Sequence, residues 1–149
     1  MSLITTIDQD IKAAMLARES QKLTALRAIK AALLLARTEK GPAHEPDEAE
    51  EVRILQKLLK QRQEAAAIYT EQGREDLAAN EHAEAAFISK YLPEQMSEED
   101  VLKQLKEIVA KSNATEMKDM GKVMGIASKV FAGKADNKMV SDLLRTLLS

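Results

Sequence analysis

The amino-acid sequence predicts an all-α protein, an N-terminal four-helix domain followed by a small three-helix C-terminal tail domain. Three observations carry that expectation. Hydrophobic residues make up 45% of the 149 positions but aromatics only 3%. The core must therefore be built from Leu, Ile, Ala and Met, which suit helices better than the β-branched and aromatic faces of strands. Every long apolar pattern repeats at three- and four-residue spacing, and the breaks between patterns fall at Gly, Pro and capping residues.

Ile4, Ile7, Ile11 and Met15 lie on one face of a first helix, about residues 3–18. Ser20 is placed to cap a second, whose apolar stripe is Leu23, Leu26, Ile29 and Leu33. The stretch TEKGPAHEPDE interrupts the pattern with Gly41, Pro42 and Pro46. Asp47 and Glu50 then have capping-box spacing, and Glu48, Glu50 and Glu51 suit the positive end of a helix dipole. The third helix, about 48–72, is expected to bury Val52, Leu55, Leu58, Leu59 and Ile68, with Gly73 as its terminator. A fourth, about 75–91, runs through Leu77, Ala85, Ile88 and Tyr91.

Pro93 ends that helix, because a proline pushes the preceding residue out of the helical region. In LPEQMSEED, Ser97 is an N-cap with Asp100 at the box position, and Met96 can staple against Val101. The expected organisation is thus residues 1–92 as one helical domain, 93–96 as linker and 97–149 as the tail, with helices near 98–111, 116–132 and 137–148. A unit of that size is marginal alone, so it either packs on the first domain or gains from a partner.

Charged residues are 31% of the chain and the net charge is −2, as in a solvated protein. There is no cysteine, which excludes disulfides, thiolate nucleophiles and Cys-ligated zinc. No apolar run approaches the roughly 18 residues of a membrane span. The opening MSLITTIDQDIK lacks a basic region followed by an unbroken apolar one, so no signal peptide is read and the expected location is the cytoplasm. Residues 111–138 carry six lysines against Glu116, Asp119 and Asp136, a local excess of positive charge that points weakly to a polyanion.

The stretch KDMGKVMG, residues 118–125, sets two glycines four residues apart inside a predicted helix. Each costs a helix interior about 1 kcal/mol relative to alanine. On that helix Met117, Met120, Met124, Ala127 and Phe131 form the expected buried stripe, with Gly121, Gly125, Ser128 and Ala132 as a row of small residues beside it. Two surfaces fit such a row: a neighbouring helix of the same bundle, or a phosphate backbone flanked by Lys118, Lys122 and Lys129. Asp119 is spaced to pair with Lys122.

GREDLAANEHAEAAFISKYLPEQMSEED, KDMGKVMG and GKADNKMVSDLLRTLL, with KLTALRAIKAAL in the second helix, resemble the standalone GatB/YqeY-domain family nearly end to end. The resemblance implies a helical N-terminal domain joined to a three-helix tail. That tail is similar to the C-terminal domain of the B subunit of the tRNA-dependent amidotransferase. There it is an RNA-contacting appendage, while kinase and transamidation chemistry lie elsewhere.

The residues themselves show no amidase centre and no phosphate-cradling glycine loop. His82 has only Ala78, Ala79, Ala85 and Ala86 at helical spacing, so it forms no metal pair; His44 reads as a solvated loop residue. Gln61, Arg62 and Glu64 with Arg74, Glu75 and Asp76 read as a solvated charged patch. The expected function is a non-catalytic helical binding module associating with tRNA or structured RNA. The expected contacts are Lys118, Gly121, Lys122, Gly125, Lys129, Lys134 and Lys138, with no metal, cofactor, membrane or DNA. With few aromatics, recognition would be of backbone and shape rather than of stacked bases. The alternative is a protein-interaction adaptor receiving a helical protein partner on the glycine row. A third reading, glutamine-dependent carbon–nitrogen ligation, is implied by the family resemblance alone.

Overall fold

A computed structural model describes residues 2–41 and 44–149. Among these the chain is entirely α-helical apart from turns: α1 (Leu3–Ala17), α2 (Ser20–Lys40), α3 (Glu48–Glu71), α4 (Glu75–Ser89), α5 (Glu98–Ser112), α6 (Met120–Val130) and α7 (Asn137–Leu148). A 3-10 turn over Met117–Asp119 precedes α6. The chain divides into two compact units, up to Leu92 and from Pro93 onward. Pro42, expected in the break between the second and third helices, lies outside the described residues.

In the first unit α3 and α4 form a hairpin, α1 packs on α2, and α2 also meets α3 and α4. Ile7, Leu26, Ile29, Leu33, Leu55 and Ile88 are completely or almost completely buried between them. Fully burying one such side chain stabilises by about 1.5–3 kcal/mol. The hairpin turn follows from Gly73 at φ +73°, where the N–H groups of Gly73 and Arg74 donate to the carbonyls of Thr70 and Tyr69. This Schellman arrangement satisfies the last carbonyls of α3, and glycine takes the left-handed conformation without a Cβ penalty.

Polar contacts tie α1 down at three levels. The Leu3 N–H donates to Glu51 Oε2 at 3.2 Å, Lys30 Nζ meets Asp8 Oδ1 at 2.7 Å, and the Tyr91 hydroxyl donates to the Asp10 carboxylate. Burial and that carboxylate both raise the Tyr91 hydroxyl above the ordinary tyrosine range.

Several expectations require correction. Ser20 is the first residue of α2 rather than its cap; Glu19 holds that position without a side-chain bond. Met15 and Ile68 are exposed, with Ala14 and Ala66 taking the buried positions. Asp47 does cap α3 by accepting from the Glu50 N–H at 2.8 Å, but the Glu50 carboxylate turns to His44 Nε2 at 2.8 Å and Lys40 Nζ at 3.3 Å. His44 is therefore a half-buried, bonded residue. Arg62 leaves the expected solvated patch and points inward, 3.6 Å from Glu81 Oε2 and 3.4 Å from Glu84 Oε2. Tyr91 lies just beyond the end of α4.

Neighbouring carboxylates on α3 are shifted in opposite directions from their ordinary range. The His44 bond holds Glu50 below its ordinary range, whereas burial pushes Glu51 above its own despite the Leu3 N–H. A lowered carboxylate contributes stability above its unfolded value that is lost as pH falls through the folded one. For a raised carboxylate the contribution is present in acid and lost as pH rises through the folded value. Glu51→Gln keeps an acceptor for Leu3 and removes the buried charge. Its melting temperature should exceed wild type at pH 7, with the gain shrinking by pH 4; a lower value at pH 7 would show the charge itself to be stabilising.

The second unit is built from α5, α6 and α7 around Val101, Leu105, Val123, Ala127, Phe131, Val140 and Leu144. Ser97 caps α5 through the Asp100 N–H at 3.2 Å, and Met96 packs into the same core.

Candidate functional site

Helix α6 is short because the chain enters it through the 3-10 turn rather than as one helix from residue 116. Glu116 and Asp119 form a reciprocal capping box there. The Asp119 carboxylate accepts from the N–H groups of Thr115 at 3.0 Å and Glu116 at 3.3 Å, instead of pairing with Lys122. Those bonds, with Lys118 and Lys122 nearby, lower it below the usual carboxylate range and keep it charged.

Met117, inside that turn, does not join the buried stripe and is 43% exposed. Val123, which the expected stripe omitted, is fully buried beside Ala127 and Phe131, while Met120 and Met124 are half-buried.

The opposite face of α6 is open. Beyond its own stretch of helix, a Cβ built on Gly121 or Gly125 would meet nothing within 4 Å. The reading of the glycine row as a seam within the bundle is therefore overturned, since no described helix of the same unit reaches it. At about 100° per residue, Gly125 lies about 60° from Lys122 and about 40° from Lys129, all on the solvent side. Lys122 and Lys129 are exposed, as are Gly121, Gly125, Ser128 and Ala132. Lys118, in the 3-10 turn, is exposed and reaches Glu116 Oε1 at 3.0 Å.

The two remaining predicted contacts sit on other elements. Lys134 belongs to the α6–α7 turn, where its carbonyl accepts from the Met96 N–H and its side chain is exposed. Lys138 is in the first turn of α7, where its N–H donates to the Asp136 cap at 3.4 Å and its side chain is exposed. Sequence reasoning missed Ile126 and Val130, apolar residues one turn apart on α6 that stay 40% and 39% exposed. They adjoin the lysine and glycine face, and their four-residue spacing was the available signal.

Elsewhere, His82 is exposed on α4. Among the described residues no group of three or more His, Cys, Asp or Glu is arranged to hold a metal ion. No described helix is long and apolar enough to cross a membrane.

Two curated fungal proteins share part of this sequence, both called "Altered inheritance of mitochondria protein 41, mitochondrial". The one from Meyerozyma guilliermondii is 33% identical over 89 residues, covering 60% of this chain and 46% of that protein. The one from Clavispora lusitaniae is 31% identical over 91 residues, covering 61% and 52%. The matched stretch thus spans about half the length of each relative. The family described as Yqey-like protein matches from residue 4 to residue 148. With nearly every helix inside that match, the chain belongs to the YqeY-like protein family.

Proposed function

We propose that the protein is a non-catalytic helical binding module whose α6 face engages the backbone of tRNA or another structured RNA, in a setting linked to translation. One observation supports this most. Lys122, Lys129 and the two glycines share one solvent face, Lys118 precedes it in the 3-10 turn, and nothing outside the helix's own local backbone comes within 4 Å of either missing Cβ. Glycine lets a phosphate backbone lie close to the helix, and lysines on either side neutralise it. The resemblance of the tail to that of the amidotransferase B subunit points the same way. The proposed location is the cytoplasm; the mitochondrial designation attaches to the two longer relatives.

The exposed pair Ile126 and Val130 favours a second reading, an adaptor surface for an apolar helix of a partner protein. The third reading, glutamine-dependent carbon–nitrogen ligation, finds no support in the residues; absence of ammonia release from glutamine by the purified protein would reject it.

Lys118→Ala with Lys122→Ala tests the RNA reading, because exposed lysines contribute little to folding. Its melting temperature should match wild type. Its affinity for tRNA should fall, and the log–log salt slope should flatten by about 0.7 to 0.9 for each phosphate that is no longer neutralised. Gly125→Leu supplies the steric arm: with open space around the position it should fold at least as well as wild type, since leucine is the better helix former by several tenths of a kcal/mol. It should nevertheless bind RNA less tightly. Unchanged affinity and slope in the lysine variant reject the RNA reading, and loss of a protein partner from Gly125→Leu would then favour the adaptor.

A further inference from the structure

The first unit ends on an anchored residue and the second begins on one only three positions later. Leu92 is buried in the first core, its N–H donating to the Ser89 carbonyl at 3.1 Å. Tyr91, immediately before it, packs on the same core and bonds Asp10. On the other side, Gln95 Nε2 donates to two carbonyls, Pro93 O at 2.8 Å and Gly133 O at 2.7 Å. The next N–H, that of Met96, donates to Lys134 O at 2.9 Å. Both neighbours of the Gln95 amide can only accept, so the atom between them must be the nitrogen, with both hydrogens used.

The loop that receives these bonds is itself fixed. Gly133 is buried at φ +74°, which turns its carbonyl out of the α6 end, and the N–H of Lys134 donates to Phe131 O at 2.9 Å. Pro93 has no N–H to anchor and a φ set by its ring.

We infer that Gln95 is a clasp that fastens the start of the second unit onto the α6–α7 turn, confining the torsional freedom of the connection to residues 92–94. The segment 93–96 then behaves as part of the tail with a short joint at its entrance, rather than as a flexible tether. Gln95→Ala removes both bonds, and Gln95→Glu places a carboxylate against two carbonyl oxygens. Either variant should lengthen the free connection without touching the core.

Amide hydrogen exchange of the intact chain tests the clasp. In wild type the Met96 amide should be protected to a degree comparable with amides in the middle of α5. In Gln95→Ala its protection should fall by about tenfold, the effect of losing one well-formed hydrogen bond. It should fall further in Gln95→Glu, while Val123 and Ala127 stay within about twofold of wild type. An unprotected Met96 amide in wild type, or one that Gln95→Ala leaves unchanged, overturns the inference. Equal loss of protection throughout α6 and α7 also overturns it, because Gln95 would then be a general support of the tail core.

Discussion

Phe131→Ala is expected to unfold the C-terminal unit while leaving α1–α4 folded. Phe131 is the largest fully buried side chain among the described residues and sits where α6 ends, inside a core whose other buried members are Val, Leu and Ala. Truncating a buried phenylalanine costs about 3–5 kcal/mol, the lost transfer energy plus that of the cavity. A unit beginning at Pro93 and ending at Ser149 has 57 residues. Ordinary stabilities of 0.05–0.15 kcal/mol per residue give it roughly 3–9 kcal/mol in total. A single core of this size rarely supplies more than about 3–5 kcal/mol, the lower part of that range, so the substitution removes most or all of what holds the tail together. The measurement is a two-dimensional amide spectrum at 25 °C: resonances of residues beyond 96 should collapse to the unfolded range while those of α1–α4 keep their positions. Simultaneous collapse of both sets would show one cooperative unit and remove the boundary at residue 92.

Arg62→Ala should be the most damaging polar substitution in the first unit. The guanidinium lies between Glu81 and Glu84 with the three side chains 29%, 18% and 16% exposed, whereas the Arg74–Asp76 pair is 56% and 66% exposed. Removing the cation leaves two shielded carboxylates one helical turn apart with no counter-charge. Fully buried pairs broken in this way cost about 3–5 kcal/mol, and partial exposure brings the expectation to about 2 kcal/mol. Arg74→Ala, by contrast, should change stability by less than about 1 kcal/mol. The geometry of the triad is incomplete: Arg62 Nε and Glu81 Oε2 are buried without a hydrogen-bond partner. Replacing all three by Arg62→Met, Glu81→Gln and Glu84→Gln should therefore recover most of the loss in urea titrations. A triple variant as unstable as Arg62→Ala, although methionine replaces the arginine stem and no carboxylate is left unpaired, would show that the charged triad itself supports the hairpin.

The two predictions differ in how far sequence could reach them. Phe131 stands out at the end of an apolar stripe, and the helices themselves follow from stripes of the same kind. Arg62 sits in Gln61–Glu64, where every residue is polar and periodicity cannot say which one turns inward; only the position of α4 decides. The exposure of Met117 was hidden for another reason. A 3-10 entry uses the same residue types as an α-helical one, and the switch lies in hydrogen bonds from Thr115 and Glu116 to Asp119. The glycine row was visible as a row, but its direction was not, because small residues fit a helix neighbour and open water equally well. Lys118, Lys122 and Lys129 were identified as a basic cluster from spacing alone, and Ile126 and Val130 were missed because they fall between that cluster and the buried stripe.

The placement of the tyrosines makes the two units optically distinct. The chain has no tryptophan, and Tyr69 and Tyr91 both precede Pro93. Near-ultraviolet absorbance and intrinsic emission therefore originate almost wholly from the first unit, leaving the tail dark apart from phenylalanine. Tyr91 should emit weakly when folded, since a carboxylate such as Asp10 bonded to the phenol accepts its proton in the excited state. Melting of the first unit should accordingly appear as a rise in tyrosine emission, and melting of the tail should leave that channel silent. Ellipticity followed beside emission would resolve the two transitions without labels.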